Sequence, residues 1–232
     1  MIIDEMEMKP GILGWLLLIL MLNSEDIQKK SGIHQPANSF IQKKMTAPPA
    51  KKNIVFFGNS ITAGYGLDPS ESFPSLIQAR IDSLRLPYIV INAGVSGETS
   101  ADGLSRIDWI LRQPVSIFIL ELGGNDGLRG LPAEATYKNL DAIINKVKTK
   151  FPDAKIIIAG IQVPPNMGET YAVKFRAIFP QLAKKNKVLL LPFILEGVGG
   201  IPNLNQKDGI HPNVKGEKIV TENVWKILKG IL

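Results

Sequence analysis

The sequence predicts an α/β fold in which a mostly parallel, five-stranded sheet is covered by helices on both faces. Short apolar runs rich in β-branched and aromatic residues alternate with longer segments whose apolar residues recur at helical spacing. This alternation implies right-handed crossover connections, which make the connected strands parallel. The 232 residues, 45% of them hydrophobic, suit one globular domain with some additional sequence.

The first half of the predicted domain holds three strands and two helices. Each strand is a short β-branched or aromatic run bounded by glycine, proline or polar residues, as the first one ends at Gly58. Each helix has apolar residues three or four positions apart, as at Leu104, Ile107 and Leu111. In chain order the elements are strand 54–57, helix 75–84, strand 88–91, helix 100–111 and strand 115–120.

The second half alternates in the same way and ends with a helix. Pro132 can open a helix at its first turn, and apolar residues continue at helical spacing as far as Phe151. A break or distortion is expected at Pro180, because proline has no N–H for the helical hydrogen bond. The elements are helix 132–151, strand 155–159, helix 171–185, strand 188–191 and helix 213–228.

Loops that carry glycine and polar side chains follow the first, second, third and fifth strands. Parallel strands place the loops that follow them at one edge of the sheet, where open α/β sheets bind their ligands. We therefore predict a single active site at that edge, built from segments far apart in the sequence.

Ser60 lies in the first of these loops. Gly58, Gly64 and Gly66 let the backbone turn sharply and approach a ligand closely, so the Ser60 hydroxyl would be presented at the end of the strand. The alternative is that Ser60 or Thr62 only caps a helix or closes a turn. The local stretch leaves both interpretations open.

The C-terminal segment favours the catalytic interpretation. His211 is one of two histidines in the chain, and Asp208 precedes it by three residues across a glycine turn. This spacing lets the carboxylate reach the imidazole and hold its tautomer. A serine hydroxyl needs a base to take its proton, and the base works best when a third group orients it. We predict Ser60 as the nucleophile, His211 as the base and Asp208 as the orienting group.

Acyl transfer also requires hydrogen-bond donors for the developing oxyanion. Asn125 offers a side-chain amide in a glycine-rich turn, Gly97 an unobstructed backbone N–H, and Ser60 its own N–H. A turn would account for Gly97 alone, and a cap would account for Asn125 alone. Their convergence at one sheet edge predicts an oxyanion hole.

Four sequence blocks resemble the SGNH, or GDSL-type, hydrolases, in particular the bacterial arylesterase, acyl-CoA thioesterase and lysophospholipase group. They occur in family order within residues 53–232. The resemblance implies the three-layer α/β/α, flavodoxin-like fold of that family and the same roles for Ser60, Gly97, Asn125, Asp208 and His211. The blocks are Phe57-Gly-Asn-Ser-Ile-Thr-Ala-Gly64, Asn92-Ala-Gly-Val-Ser-Gly97, Gly123-Gly-Asn-Asp126 and Asp208-Gly-Ile-His211.

One position departs from the family pattern. Asn59 stands where the family usually has Asp before the serine, and it is not a member of the triad. Because the amide keeps the size and hydrogen bonding of the carboxylate, we expect activity to survive. The loop with Val163, Pro164 and Pro165 resembles the substrate-contacting loop of this group, although an ordinary proline-stiffened surface loop is the alternative.

The resemblance implies hydrolysis of carboxylic esters or thioesters through an acyl-enzyme, as in an arylesterase, a lysophospholipase or an acyl-CoA thioesterase. This chemistry requires neither a metal nor an organic cofactor. A carbohydrate O-acetyl esterase would use the same machinery on the same fold. A module of a different class, binding FMN or phosphate after the first strand, would leave Asp208 and His211 unexplained.

Composition limits the partners. The net charge is +6, but the lysines are dispersed over predicted helix faces without an aromatic-basic motif, so no nucleic-acid partner is expected. The expected partner is a small-molecule or lipid ester, and the sequence carries no signal for an oligomeric state. The absence of cysteine excludes disulfides, thiolate metal sites, a cysteine nucleophile and a cysteine-linked lipid anchor.

Residues 1–52 differ in composition from the rest. Residues 12–22 form an apolar run with the length of a signal-peptide core, shorter than an ordinary membrane span of about 20 residues. Residues 1–22 are predicted to be an export signal or a membrane anchor, although the start is acidic and no small-x-small cleavage site is evident. Residues 23–52, rich in Lys, Gln, Ser and Pro, are predicted to be a flexible linker. The protein is therefore expected to be exported, to be periplasmic or membrane-anchored, and to carry its hydrolase domain in residues 53–232.

Overall fold

The structure is a computed structural model that describes residues 50–232. The predicted leader, 1–22, and the predicted linker as far as residue 49 lie outside the described residues. Among the residues that are described, no helix combines the length and the apolar character needed to cross a membrane.

Within this part of the chain, five strands form one sheet in the order β2-β1-β3-β4-β5, and all neighbouring pairs are parallel. The predicted five-stranded sheet is confirmed. In the register of the sheet, Gly58 is paired with Gly94 on one side and with Glu121 on the other, so three strands end level. The strands are β1 (Lys52–Gly58), β2 (Tyr88–Gly94), β3 (Ile117–Glu121), β4 (Lys155–Ala159) and β5 (Leu189–Leu191).

Seven α-helices occur in residues 50–232, two more than predicted. The additional ones, of four and five residues, directly follow β1 and β3 and were expected to be loops. They are too short and too rich in glycine for a helical apolar period to be recognised. The helices are α1 (Ser60–Ala63), α2 (Phe73–Ser83), α3 (Ser100–Ile110), α4 (Gly124–Leu128), α5 (Ala133–Lys150), α6 (Glu169–Asn186) and α7 (Val214–Leu228).

The long helices cover both faces of the sheet. Helix α2 connects β1 to β2, whereas α3, α5 and α6 connect strands in the opposite direction across the sheet. Right-handed crossovers therefore place α2 on one face and the other three on the opposite face. Helix α7 packs against α2, and α5 packs against both α3 and α6. The result is three layers.

Two neighbouring phenylalanines of β1 link the sheet to both helical layers, because successive side chains of a strand point to opposite faces. Phe56 contacts Phe73 of α2 edge to face, with ring centroids 5.4 Å apart. Phe57 lies against the other face, where a Cβ at Gly103 of α3 would be 3.3 Å from its ring. Both phenylalanine side chains are completely buried.

The expected break at Pro180 does not occur. Helix α6 continues from Glu169 to Asn186 with Pro180 inside it. Proline removes one backbone hydrogen bond, but Phe175, Phe179 and Leu182 of this helix are buried in the core. Their packing keeps the helix continuous.

Candidate active site

The nucleophile turn, residues 59–62, directly follows β1. Asn59 is the N-cap of α1, and its Oδ1 accepts a hydrogen bond from the N–H of Ile61 at 3.0 Å. Helix α1 ends at Gly64, which has a left-handed backbone conformation with φ of +74°. Since Asn59 caps the helix, the Ser60 hydroxyl is not needed for that purpose.

Ser60, His211 and Asp208 lie in hydrogen-bond contact. The Nε2 atom of His211 is 2.8 Å from Ser60 Oγ, and its Nδ1 atom is 2.7 Å from Asp208 Oδ2. The other oxygen of Asp208 accepts hydrogen bonds from the N–H groups of Ile210 at 2.9 Å and His211 at 3.0 Å. A carboxylate can only accept, so Nδ1 donates to Asp208 and Nε2 of the neutral ring faces Ser60 as an acceptor.

Asp208 is held in its ionised form. Its partial burial opposes ionisation, but hydrogen bonds from the His211 ring and from two backbone N–H groups outweigh that effect. The pKa of Asp208 is lowered to about 2. Its charge therefore persists at neutral pH.

Two residues that sequence reasoning missed support His211. The ring of Tyr65 lies against the imidazole, with centroids 4.8 Å apart, and about half of Tyr65 is exposed. Gln206 donates from Nε2 to the carbonyl oxygens of Tyr65 at 2.6 Å and Pro212 at 3.0 Å. A Cβ at Gly66 would overlap the side chain of Gln206, so this glycine leaves room for Gln206 as well as allowing the turn.

The three predicted oxyanion donors lie in the segments that follow β1, β2 and β3. The loop after β2 is attached to the end of β1, because Val95 N–H donates to the Gly58 carbonyl at 3.0 Å. Asn125, in α4, donates from Nδ2 to the carbonyl of Glu98 at 2.8 Å, which leaves the second N–H of its amide for another acceptor. Gly97 has φ of +85° and no atom within 4 Å of a Cβ built on it. Its glycine is required by backbone conformation, and the space beside it is open.

Two charged side chains, Arg106 and Asp126, stabilise the segments that carry Gly97 and Asn125. Arg106 of α3 donates to both carboxylate oxygens of Glu98 at 2.6 and 2.7 Å and to the Ala93 carbonyl at 2.9 Å. Asp126, next to Asn125, accepts from the Ser100 N–H at 2.8 Å. These contacts fix the segments that carry Gly97 and Asn125. They connect parts of the chain that belong to different sequence blocks.

The predicted substrate loop, residues 163–165, lies beside α4. Val163 packs closely against Gly127 of α4, and Pro164 is exposed with its carbonyl accepting from Met167 at 3.1 Å. Pro165 begins a short 3₁₀ helix, Pro165–Met167. A depression of about 260 Å³ lies beside this loop and is lined by Gln162, Val163, Glu169, Ala172, Val173 and Arg176.

The arrangement after β1 does not suit a phosphate, which argues against the FMN-binding alternative. Thr62 donates from its hydroxyl to the Oε2 atom of Glu121 at 2.7 Å and from its N–H to the same atom at 3.3 Å. An anion at this turn would compete with a buried carboxylate for these donors. Within residues 50–232, no group of three His, Asp or Glu side chains could hold a metal ion.

Comparisons with known proteins show the family to which the chain is similar. The model of the GDSL-like Lipase/Acylhydrolase family matches residues 56–219. Esterase TesA of Pseudomonas aeruginosa is 39% identical over 81% of this chain and 93% of its own length. The thioesterase 1/protease 1/lysophospholipase L1 of Escherichia coli K12 is 37% identical over 79% of this chain and 86% of its own. A crystal structure of TesA, 40% identical, covers 78% of this chain and all of that one, with a TM-score of 0.75.

The site at the carboxyl ends of the strands and these similarities define the class of the protein: it is an α/β serine ester hydrolase. The family match extends over nearly the whole described domain. The chain belongs to the GDSL-like Lipase/Acylhydrolase family, and the resemblance predicted from the four sequence blocks is confirmed.

Two buried glutamates predict the pH dependence of stability. Burial raises the pKa of Glu121 to about 7, and burial together with the charge of Glu121 raises the pKa of Glu217 to about 8. A carboxyl group whose pKa is raised on folding stabilises the fold fully below its ordinary value of 4.5, and this contribution is lost as the pH rises through 7 to 8. We expect the free energy of unfolding to fall between pH 5 and pH 9.

The Glu217→Gln variant should reduce this fall by about 1 kcal/mol or more, since one pKa unit corresponds to about 1.4 kcal/mol. Urea denaturation at several pH values measures it. Glu222→Gln is the control, because Glu222 is exposed, pairs with Arg80 and has a lowered pKa outside this range. Equal pH slopes for the wild type and Glu217→Gln would contradict the prediction.

Proposed function

We propose that Ser60, His211 and Asp208 hydrolyse a carboxylic ester or thioester through an acyl-enzyme. The observation that carries the proposal is the hydrogen-bond series from Asp208 Oδ2 to Nδ1 of His211, at 2.7 Å, and from Nε2 to Ser60 Oγ, at 2.8 Å. These distances suit proton transfer from the hydroxyl to the imidazole. Support also comes from relatives named as an esterase and as a thioesterase and lysophospholipase.

In the first half of the reaction, Ser60 Oγ attacks the carbonyl carbon while His211 Nε2 accepts its proton. Asp208 stabilises the imidazolium that forms, because its carboxylate is ionised and already bonded to Nδ1. The imidazolium then donates the proton to the departing alcohol or thiol. In the second half, His211 takes a proton from water as the water oxygen attacks the acyl carbonyl carbon. The bond from the acyl carbon to Ser60 Oγ then breaks, and the imidazolium returns the proton to Oγ, which releases the acid and restores the Ser60 hydroxyl and the neutral imidazole.

The oxyanion of each tetrahedral intermediate is held by the N–H groups of Ser60 and Gly97 and by the amide of Asn125. Within residues 50–232, the N–H groups of Ser60 and Gly97 donate no hydrogen bond. The Asn125 amide uses one of its N–H bonds for Glu98 and keeps the other. Fixed donors of this kind stabilise charge without reorganisation during the reaction.

The substrate is an ester or thioester with an apolar group, free or part of a lipid. Two exposed apolar side chains support this: Tyr65, 52% exposed, lies against the His211 ring, and Ile210, 41% exposed, precedes His211 in the chain. Val163, Pro164 and Pro165 are assigned to selection of the acyl length, supported by the packing of Val163 against α4, the helix of Asn125.

Ser60→Ala should reduce kcat for p-nitrophenyl esters by at least about 10³-fold, because nucleophile and base act as a unit. The measurement is hydrolysis of the series from acetate to palmitate by the protein without its predicted leader, residues 1–22, with thermal unfolding to show that the variant is folded. Equal rates in both proteins would remove Ser60 as the nucleophile. The chain-length profile, compared with acyl-CoA and sugar acetates, identifies the acyl group and distinguishes a carbohydrate O-acetyl esterase.

Asn125→Ala should lower kcat by about 10²- to 10³-fold and change KM little, because the lost donor acts on the transition state. Asn145→Ala is the matched control, since Asn145 lies on the exposed side of α5 and bonds only to Asp141. Kinetics on p-nitrophenyl acetate compare the two. Unchanged kcat in folded Asn125→Ala would exclude this amide from the oxyanion hole.

We also propose that residues 1–22 direct export and that the predicted linker, residues 23–52, connects them to the hydrolase domain, with the protein periplasmic or anchored in a membrane. The support is the apolar run 12–22 and the polar sequence that follows it. Fractionation of bacterial cells should find the full chain outside the cytoplasm and a chain lacking residues 1–22 within it. Cytoplasmic location of both would contradict the proposal.

A further inference from the structure

Glu121 is a buried carboxylate that the proposed mechanism does not use. It is the last residue of β3 and is completely buried beside the nucleophile turn. Its Oε2 atom accepts from the Thr62 hydroxyl at 2.7 Å, from the Asn59 N–H at 3.2 Å and from the Thr62 N–H at 3.3 Å. One oxygen atom thus holds the turn on both sides of Ser60.

The hydrogen bonds of this turn use every backbone N–H from Asn59 to Thr62 except that of Ser60. Glu121 takes the N–H groups of Asn59 and Thr62, and Asn59 Oδ1 takes the N–H of Ile61. In the described part of the chain, the N–H of Ser60 has no recorded partner. The same contacts that fix the turn therefore leave free the donor that an oxyanion at Ser60 would need.

Stability alone does not account for this carboxylate. The second oxygen, Oε1, is buried and has no hydrogen-bond partner among residues 50–232. Among residues 50–232, no cation bonds to this carboxylate: Arg106 of α3 bonds to the Gly58 carbonyl and to Glu98 instead. The charge of Glu121 acts on another acid, Glu217 of α7, and helps to raise its pKa. Burying an unpaired charge destabilises a fold, and burial raises the pKa of Glu121.

We infer that Glu121 is a positioning residue for ester hydrolysis: its carboxylate holds residues 59–62 so that the Ser60 hydroxyl meets His211 and the Ser60 N–H faces the substrate oxyanion. The inference rests on the proposed function. Charge-assisted hydrogen bonds are shorter and stronger than neutral ones, so a carboxylate fixes three donors more tightly than an amide oxygen. Displacement of a nucleophile by a fraction of an ångström is enough to slow the chemical step.

Glu121→Gln tests the inference because glutamine keeps the shape and an acceptor oxygen but removes the charge. We expect kcat for p-nitrophenyl acetate to fall by about 10- to 100-fold with KM within about twofold, as for a mispositioned group. Phosphonylation of Ser60 by a p-nitrophenyl phosphonate should slow by a similar factor. The melting temperature at pH 8 should be equal to or above that of the wild type, because a buried charge is removed.

Glu217→Gln is the matched control. Glu217 is also a buried glutamate, but it accepts from the Phe73 N–H at 2.7 Å, at the start of α2, and has no recorded contact with residues 59–62 in the described structure. Its kcat should stay within about twofold of the wild type. This control separates the loss of a buried charge in general from the loss of the contact with the nucleophile turn.

Two results would overturn the inference: kcat of Glu121→Gln within twofold of the wild type, or a fall in kcat that only parallels a fall in melting temperature. The second result would make Glu121 a structural residue. Both differ from failure of the proposed function, in which the wild type would hydrolyse no ester or Ser60→Ala would remain active. The inference is thus tested by Glu121→Gln, whereas the proposed function is tested by the wild type and Ser60→Ala.

Discussion

The close seating of α1 on the ends of the central strands is the constraint on which the site depends. A Cβ at Gly94, at the end of β2, would overlap the backbone nitrogen of Ala63, and one at Gly58 would overlap the hydroxyl of Thr62. Backbone atoms of a packed helix cannot move aside as a flexible side chain can. These two glycines let the nucleophile turn lie directly on the sheet, within reach of Glu121.

Strands β1, β2 and β3 end at the same height in the sheet, and this brings together segments that are far apart in the sequence. Gly58 lies between Gly94 and Glu121 in the sheet, so the loops after β1, β2 and β3 start side by side. The hydrogen bond from Val95 to Gly58 joins the loop after β2 to the end of β1. The bond from Asn125 to Glu98 joins the segment after β3 to the loop after β2. Rigid loops are needed because oxyanion donors are effective only when they are already in place.

Three carboxyl groups near the site differ in protonation because their surroundings differ. Asp208 is partly exposed and accepts hydrogen bonds from His211, so its pKa is lowered and its charge is kept. Glu121 and Glu217 are buried, with no cation bonded to either in the described part of the chain, and their pKa values are raised to about 7 and about 8. The same functional group can thus orient a base near solvent or hold a backbone turn in the interior.

The sequence by itself determined the elements and the residues whose chemistry is local. Apolar periodicity predicted five strands and five long helices, and the spacing of Asp208 and His211 across a glycine turn predicted their contact. Only the tertiary structure decided how the site is supported. Glu121 reaches Thr62 across 59 residues, Gln206 reaches Tyr65 across 141 and Glu217 reaches Phe73 across 144. Such contacts depend on strand register and helix packing, because no local pattern specifies which distant donor a buried acceptor will meet.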